Sequence, residues 1–185
     1  MFSEISLHIL DIVQNSISAR ASAVEITVSI DNASDTLTVI IEDNGFGMTD
    51  EALSKAVDPF YTTRTTRKNG FGVPFFKAAS EMTGGSFEIN SGKGKGTRVK
   101  AVFILSSIDR MPLGDMTDTI ISLINTNCHI DFIYNYSVDA RNFTLDTRQL
   151  KKILGNVAIN LPEVTVFLTR YLDDNTAEVS GGKKY

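Results

Sequence analysis

Glycine residues are concentrated at three points of this 185-residue chain, and their placement points to chemistry. Because glycine has no Cβ, such loops let backbone N–H groups come close to a phosphate or a purine ring. A single G-x-G pair is most often a plain turn, so the interpretation depends on the polar residues that accompany the clusters. The clusters are Gly45 with Gly47, Gly70 with Gly72, and Gly92 with Gly94 and Gly96.

The composition argues against a zinc site and against an internal disulfide. Cys128 is the only cysteine, so neither an internal disulfide nor a multi-cysteine zinc site is possible, and its apolar neighbours favour a buried small side chain. His8 and His129 are the only histidines and have no metal-ligand spacing. The sequence therefore predicts no zinc.

The overall charge argues against a broad surface for nucleic acid. The formal net charge is -4 and the sequence pI is about 5.2. Arg64, Arg67 and Lys68 form a local cationic group that is equally consistent with a solvated loop. No segment resembles a signal peptide or a membrane span, so we expect no membrane association and a cytoplasmic protein.

Hydrophobic periodicity predicts the elements that must position these loops. Apolar residues recur at helical spacing over 5–21, whereas strict alternation over 24–30 indicates a half-buried strand. The order helix, hairpin, helix, loop, helix, hairpin predicts a mixed sheet covered by helices on one face, an α+β sandwich. The further predicted elements are strands at 37–42, 86–90 and 97–105, helices at 49–57 and 72–82, and a loop at 58–70.

The composition changes after Leu105, and we expect a domain at 1–105 followed by a small α/β extension at 106–185. The extension contains no motif with evident chemistry. We hypothesise that it is an interaction platform for a protein partner, and a homodimer is also open. Its predicted elements are a helix at 116–124, a hairpin at 130–136 and 142–145, and helices at 147–155 and from 160 onward.

Five segments, taken in order, resemble the ATPase superfamily that joins DNA gyrase, the large heat-shock chaperone, sensor histidine kinases and MutL. Residues 11–19 resemble the E-x-x-x-N helix, and residues 42–48 match D-x-G-x-G. Residues 69–73 are similar to the G-x-G-L-G loop–helix junction, and residues 94–97 to the G-x-G-T turn. Residues 58–64 resemble the P-F-F-T-T-K lead-in of kinase lids. The resemblance covers roughly residues 3–105.

The resemblance implies a Bergerat fold, which is a two-layer sandwich with a mixed, mostly antiparallel sheet, and it implies that ATP and Mg²⁺ are bound. Asp43 would accept a hydrogen bond from the adenine N6 amine, which guanine lacks, and Thr97 would support the same edge of the base. Asn15 would place its amide oxygen on the Mg²⁺ that the triphosphate chelates. Gly70 and Gly72 would let the following helix aim its N–H groups at the phosphates.

The resemblance also implies a full set of site residues. Asp11 stands where the true ATPases usually have a glutamate that acts as general base, so its shorter stem predicts hydrolysis that is slow, or absent without a partner. Arg64, Arg67 and Lys68 would be lid cations that close over the γ-phosphate. The nucleotide-binding set is Asn15, Ala19, Asp43, Gly45, Gly47, Met48, Arg64, Lys68, Gly70, Phe71, Gly72, Val73 and Thr97.

Three functions are compatible with these motifs. The first is a stand-alone Mg·ATP-binding regulatory protein with slow hydrolysis, in which ATP orders a short lid and so controls a partner. The second is a protein phosphotransferase, either an anti-sigma-type serine kinase or a kinase acting in trans, because a self-phosphorylating kinase needs a histidine-bearing dimerisation segment before this domain. The third is a MutL-like ATPase acting with DNA partners, which the acidic charge disfavours.

Overall fold

The computed structural model describes residues 3–57 and 72–185. The helices are α1 (Ile5–Ser18), α2 (Asp50–Ala56), α3 (Gly72–Met82), α4 (Met116–Thr126), α5 (Thr147–Leu154) and α6 (Pro162–Ser180). The strands are β1 (Ala23–Asp31), β2 (Thr36–Asp43), β3 (Ser86–Gly92), β4 (Gly96–Ile104), β5 (Asp131–Val138) and β6 (Arg141–Asp146). The element types predicted within the described residues are confirmed, and α3 has the predicted bounds.

One mixed sheet organises the molecule, with the strand order β3-β4-β2-β1-β5-β6. The β1–β5 pair is parallel and the other neighbours are antiparallel. Alternation along β1 buries one set of side chains, of which Ile26 and Val28 are fully covered. The sheet is therefore α+β and mostly antiparallel, as predicted.

The helices cover one face of this sheet. Phe76 of α3 packs on Phe103 of β4 with ring centroids 5.7 Å apart, and it also stacks on His8 of α1 at 5.5 Å. Tyr171 of α6 meets Phe143 of β6 edge to face at 6.3 Å. The core therefore extends from one edge of the sheet to the other.

The opposite face of the sheet is polar. Asn135 of β5 donates hydrogen bonds to Glu25 Oε1 at 2.7 Å and to Thr27 Oγ1 at 3.2 Å on β1. Ser137 and Ser29 are joined in the same way at 3.0 Å. Cross-strand polar pairs of this kind stabilise this face of the sheet.

Residues 106–185 continue the same sheet and contact α1 directly. β5 pairs with β1 along the register from Ala23 to Ile30. The first N–H groups of α1, those of Ile5 and Ser6, donate to the carbonyls of Pro112 and Leu113 at 3.0 and 2.8 Å. The domain boundary after Leu105 stays a prediction, and it falls within one continuous sheet.

Two surface features complete this description. Cys128 is exposed, so its expected burial is wrong: it follows the C-cap of α4 and lies in the turn before β5, outside the apolar run. Across residues 3–57 and 72–185, no helix combines the length and the apolar character needed to cross a bilayer.

Candidate functional site

A cavity of about 580 Å³ lies between α1, α2, the start of α3 and the ends of strands β2 and β4. Several residues predicted as a site from separate motifs line it together. They are Asn15, Ala19, Asp43, Gly47, Met48, Gly72, Val73 and Thr97. Arg64, Lys68, Gly70 and Phe71 lie outside the described residues, as do Arg67 and the lid segment at 58–64.

Asp43, at the last position of β2, pairs with Thr97 of β4, and we call the part of the cavity lined by these two residues its inner end. Both carboxylate oxygens of Asp43 are held. Ser16 donates its hydroxyl to Oδ2 at 2.6 Å, and the backbone N–H of Gly45 donates to Oδ1 at 2.8 Å. Hydrogen bonds to an ionised acceptor are about twice as strong as neutral ones. The carboxylate is therefore fixed in orientation, and each oxygen keeps a lone pair for a ligand.

Ser16 is a site residue that the motif analysis missed. It is buried and lines the cavity together with Ile12 and Ala19, which lie four residues before it and three after it on the same face of α1. This helical spacing was visible in the sequence. A serine beside the expected magnesium ligand carries no distinctive signal by itself, because serines also cap and end helices.

Thr97 belongs to a small hydroxyl network at the same end of the cavity. Its Oγ1 lies 2.9 Å from Oγ of Ser91, its cross-strand partner on β3. Ser91 Oγ also accepts the N–H of Met48 at 2.9 Å and donates to the carbonyl of Gly96 at 3.0 Å. Ser91, which the sequence analysis did not select, therefore joins the D-x-G-x-G loop to β4.

The glycine loops fit tightly against each other. Gly47 has φ +66°, and a Cβ there would overlap the carbonyl of Gly92. Gly96 has φ +76°, and a Cβ there would overlap the carbonyl of Asp43. At these two positions glycine is required by neighbouring backbone and by the left-handed conformation. These contacts account for both glycines without a ligand, and the expected close approach to a phosphate or a purine stays a prediction.

Ala19 fits against the same loop from the side of α1. Its carbonyl accepts the N–H of Phe46 at 3.0 Å. A Cβ at Gly45 would lie 2.8 Å from that carbonyl and 2.9 Å from Ala19 Cβ. Gly45 itself does not line the cavity. Its part in the site is to donate its N–H to Asp43 and to let the loop pack on α1.

Asp11 lies beside the cavity and is not part of its lining. Its half-buried carboxylate lies against Gly72, the first residue of α3, where a Cβ would overlap Oδ2. Burial raises the pKa of Asp11 above its ordinary value. A raised pKa makes a carboxylate a better proton acceptor, which suits a general base.

The side of the cavity formed by α2 and the loop before it, which we call its outer wall, carries a cation that the motifs did not reveal. Lys55 of α2 lines the cavity and forms an ion pair with Glu51, one helical turn earlier. Phe46 lines it as well and is 57% exposed. The cavity therefore combines a polar inner end with a mixed outer wall.

These residues fit a Mg²⁺-chelated nucleotide. The carboxylate of Asp43 would accept hydrogen bonds from a base that offers N–H groups. Exposed Asn15 presents an amide to the cavity. Among residues 3–57 and 72–185, no group of three His, Cys, Asp or Glu could hold a metal. A Mg²⁺ ion at Asn15 would therefore take most of its ligands from phosphates and water, as is usual for this ion.

Comparisons with curated proteins find sensor kinases. The chain is 32% identical over 78 residues to a probable C4-dicarboxylate sensor kinase of Bacillus subtilis (strain 168), a match that covers 42% of this chain and 15% of the relative. It is 31% identical over 91 residues to the sensor protein DegM of Bacillus sp. (strain B21-2), covering 49% and 24%. The chain spans less than a quarter of the length of these relatives.

The fold and the family agree with these matches. A solved structure titled as the N-terminal domain of a DNA repair protein superposes with a TM-score of 0.56 at 12% identity, over 85% of this chain and 59% of that one. This likeness shows the fold alone. The family model described as histidine kinase-, DNA gyrase B- and HSP90-like ATPase matches residues 3–107, more than half of the chain. The chain belongs to this ATPase family and has its Bergerat fold.

Proposed function

We propose that the protein binds Mg·ATP in the described cavity, hydrolyses it slowly and uses it to control a protein partner. The observation that carries this proposal is the carboxylate of Asp43, which Ser16 and Gly45 hold at the inner end of the cavity. A fixed anionic acceptor that faces position 6 of a purine favours an amine there. Adenine carries N6-H₂ at position 6, whereas guanine and hypoxanthine carry a carbonyl oxygen.

Metal binding and hydrolysis are assigned to α1. Asn15 and Asp11 are four residues apart and share one face of the helix. In the proposal Asn15 holds the Mg²⁺ that accompanies the phosphates, and Asp11 accepts a proton from the attacking water. Asp11 sits beside the cavity, and its stem is one carbon shorter than that of glutamate. Both features favour slow turnover.

The regulatory part of the proposal rests on how residues 106–185 contact α1. Pro112 and Leu113 bind the first turn of the helix whose other end carries Asn15 and Ser16. β5 pairs with β1, the strand that follows α1. A displacement of α1 on nucleotide binding would therefore move the C-terminal elements that contact it. In this way a bound ligand can shift the conformation of a distant surface.

Phosphotransfer to another protein is the second candidate. It is favoured by the curated relatives, which are named as sensor kinases and match 42% and 49% of this chain. It would use the same bound nucleotide and differ only in the acceptor of the γ-phosphate.

One experiment separates these outcomes. The protein is incubated with γ-labelled Mg·ATP, and free phosphate and labelled protein are measured in parallel. Free phosphate that is lost in Asp11→Asn and kept in Asp35→Asn supports slow hydrolysis with Asp11 as base. Asp35 is a matched control because it lies in the turn before β2 and does not line the cavity. Label on a protein side chain supports phosphotransfer, and no nucleotide binding at all refutes the proposal.

A further inference from the structure

Three contacts converge on one hydroxyl at the inner end of the cavity. Ser91 Oγ lies 2.9 Å from the backbone nitrogen of Met48, 3.0 Å from the carbonyl oxygen of Gly96 and 2.9 Å from Thr97 Oγ1. The first partner is only a donor and the second is only an acceptor. The third, another hydroxyl, can be either.

The count of protons fixes the direction of the third bond. Ser91 has one hydroxyl proton and two lone pairs. The N–H of Met48 takes one lone pair, and the carbonyl of Gly96 takes the proton. The contact with Thr97 is then a hydrogen bond only if Thr97 donates its own proton to Ser91. No other assignment of the two hydroxyl protons satisfies all three contacts.

This direction decides what Thr97 offers to the cavity. With its proton directed to Ser91, Thr97 Oγ1 presents lone pairs alone. Its cross-strand neighbour Asp43 also presents acceptors, since each carboxylate oxygen takes one hydrogen bond, from Ser16 or from Gly45, and keeps a lone pair for a ligand. The inner end of the cavity is thus made of acceptors, and a ligand there must supply N–H groups directly or through water.

We infer that Ser91 is a specificity-determining positioning residue, whose hydroxyl keeps the proton of Thr97 out of the cavity and so excludes bases that present a carbonyl oxygen. The inference rests on the proposed binding of ATP and adds a residue to it. Without Ser91, the hydroxyl of Thr97 is free to rotate and donate into the cavity. It can then pair with O6 of hypoxanthine, so inosine triphosphate should compete better.

Calorimetric titration tests this through the ratio of two dissociation constants, those for Mg·ITP and Mg·ATP. Loss of one such hydrogen bond should lower the ratio about 3- to 10-fold in Ser91→Ala. Ser91→Thr keeps the hydroxyl and should restore the ratio. Ser137→Ala is the matched control, since it removes another strand serine that bonds a hydroxyl, Ser29, on the opposite face of the sheet.

A double-mutant cycle separates positioning from a general loss of structure. Thr97→Val removes the hydroxyl whose proton Ser91 is inferred to hold. The double variant with Ser91→Ala should therefore have the same ratio of dissociation constants as Thr97→Val alone. A general structural effect would lower the ratio again.

The possible results distinguish a failure of the proposed ATP binding from a failure of the inference about Ser91. If the wild type binds neither nucleotide, the proposed function itself is wrong. If the wild type prefers ATP and Ser91→Ala keeps the full preference, the inference is overturned. Additive effects of Ser91→Ala and Thr97→Val would overturn it as well.

Discussion

Replacing Gly47 by alanine tests the contact between the two glycine loops. Gly47 has φ +66°, and its added Cβ would overlap the backbone carbonyl of Gly92. A left-handed alanine costs about 1–2 kcal/mol, and overpacking a rigid contact costs about 1–3 kcal/mol more. We therefore expect Gly47→Ala to lower the free energy of unfolding by about 2–5 kcal/mol, a large part of the stability of a domain.

Gly94→Ala is the matched control for this prediction. Gly94 has φ +74° and lies on the facing turn, but its Cβ would meet nothing within 4 Å. It carries the backbone strain of about 1–2 kcal/mol without the overlap. The difference between the two variants therefore measures the loop contact alone.

Urea denaturation and calorimetric titration with Mg·ATP are the assays. Gly47 and Met48 line the cavity, so displacing their loop should weaken ATP binding by about tenfold or more, whereas Gly94→Ala should bind nearly as the wild type does. Equal losses of stability in the two variants would refute the argument from packing. A full-affinity Gly47→Ala protein would refute its link to the site.

Three further predictions concern the core and the edge of the cavity. The hydroxyl of Tyr134 is buried with no hydrogen-bond partner among the described residues, so Tyr134→Phe should raise the free energy of unfolding by about 1 kcal/mol; a fall in urea denaturation would contradict this. Burial lowers the pKa of His8 to about 4 from the ordinary 6.5. His8 therefore stays neutral in the folded protein and is protonated on unfolding, so stability present above pH 6.5 is lost as the pH falls toward 4. Between pH 7 and pH 5 the loss should be about 2 kcal/mol, and it should be absent in His8→Phe. Gly72→Ala should displace the carboxylate of Asp11 and slow phosphate release as Asp11→Asn does, with no further loss in the double variant; additive rates would contradict their contact.

The local elements could be predicted from the sequence because their patterns are local. The period-two alternation of β1 and the apolar stripe of α1 each encode a buried face, and both elements formed as expected. The motifs also placed Asn15, Asp43 and Thr97 in one site, and all three line the cavity. Each of the three belongs to a short motif that can be recognised in a single sequence, whereas their roles in nucleotide binding stay predictions.

Long-range contacts could not be predicted in the same way. The binding of the α1 N-terminus by Pro112 and Leu113 joins residues more than 100 positions apart, and no local pattern marks it. The parallel pairing of β1 with β5 is of the same kind. A single sequence shows which strands exist but not which ones are neighbours, so it predicts residues 106–185 only as an extension.

Hydroxyl positions escaped prediction for another reason. Ser16 and Ser91 act through distances of 2.6 to 3.0 Å to groups on other elements, and serine is common enough that its type alone carries no signal. The motif predicts that Gly47 approaches a ligand, which stays a prediction, and the structure adds its close approach to Gly92. The motif was therefore enough to single out Gly47, but not to predict its contact with Gly92.

The most direct test of the central claim compares Mg·ATP binding by the wild type and by Asp43→Asn in calorimetric titrations. The substitution keeps the size of the side chain and removes its charge, and Asp35→Asn, at the other end of β2, serves as the control. A hydrogen bond to a charged acceptor contributes about 1.5–3 kcal/mol, so we expect affinity to fall about 10- to 150-fold in Asp43→Asn and to stay unchanged in Asp35→Asn. Equal affinity of Asp43→Asn and the wild type would contradict the assignment of this cavity as the adenine site.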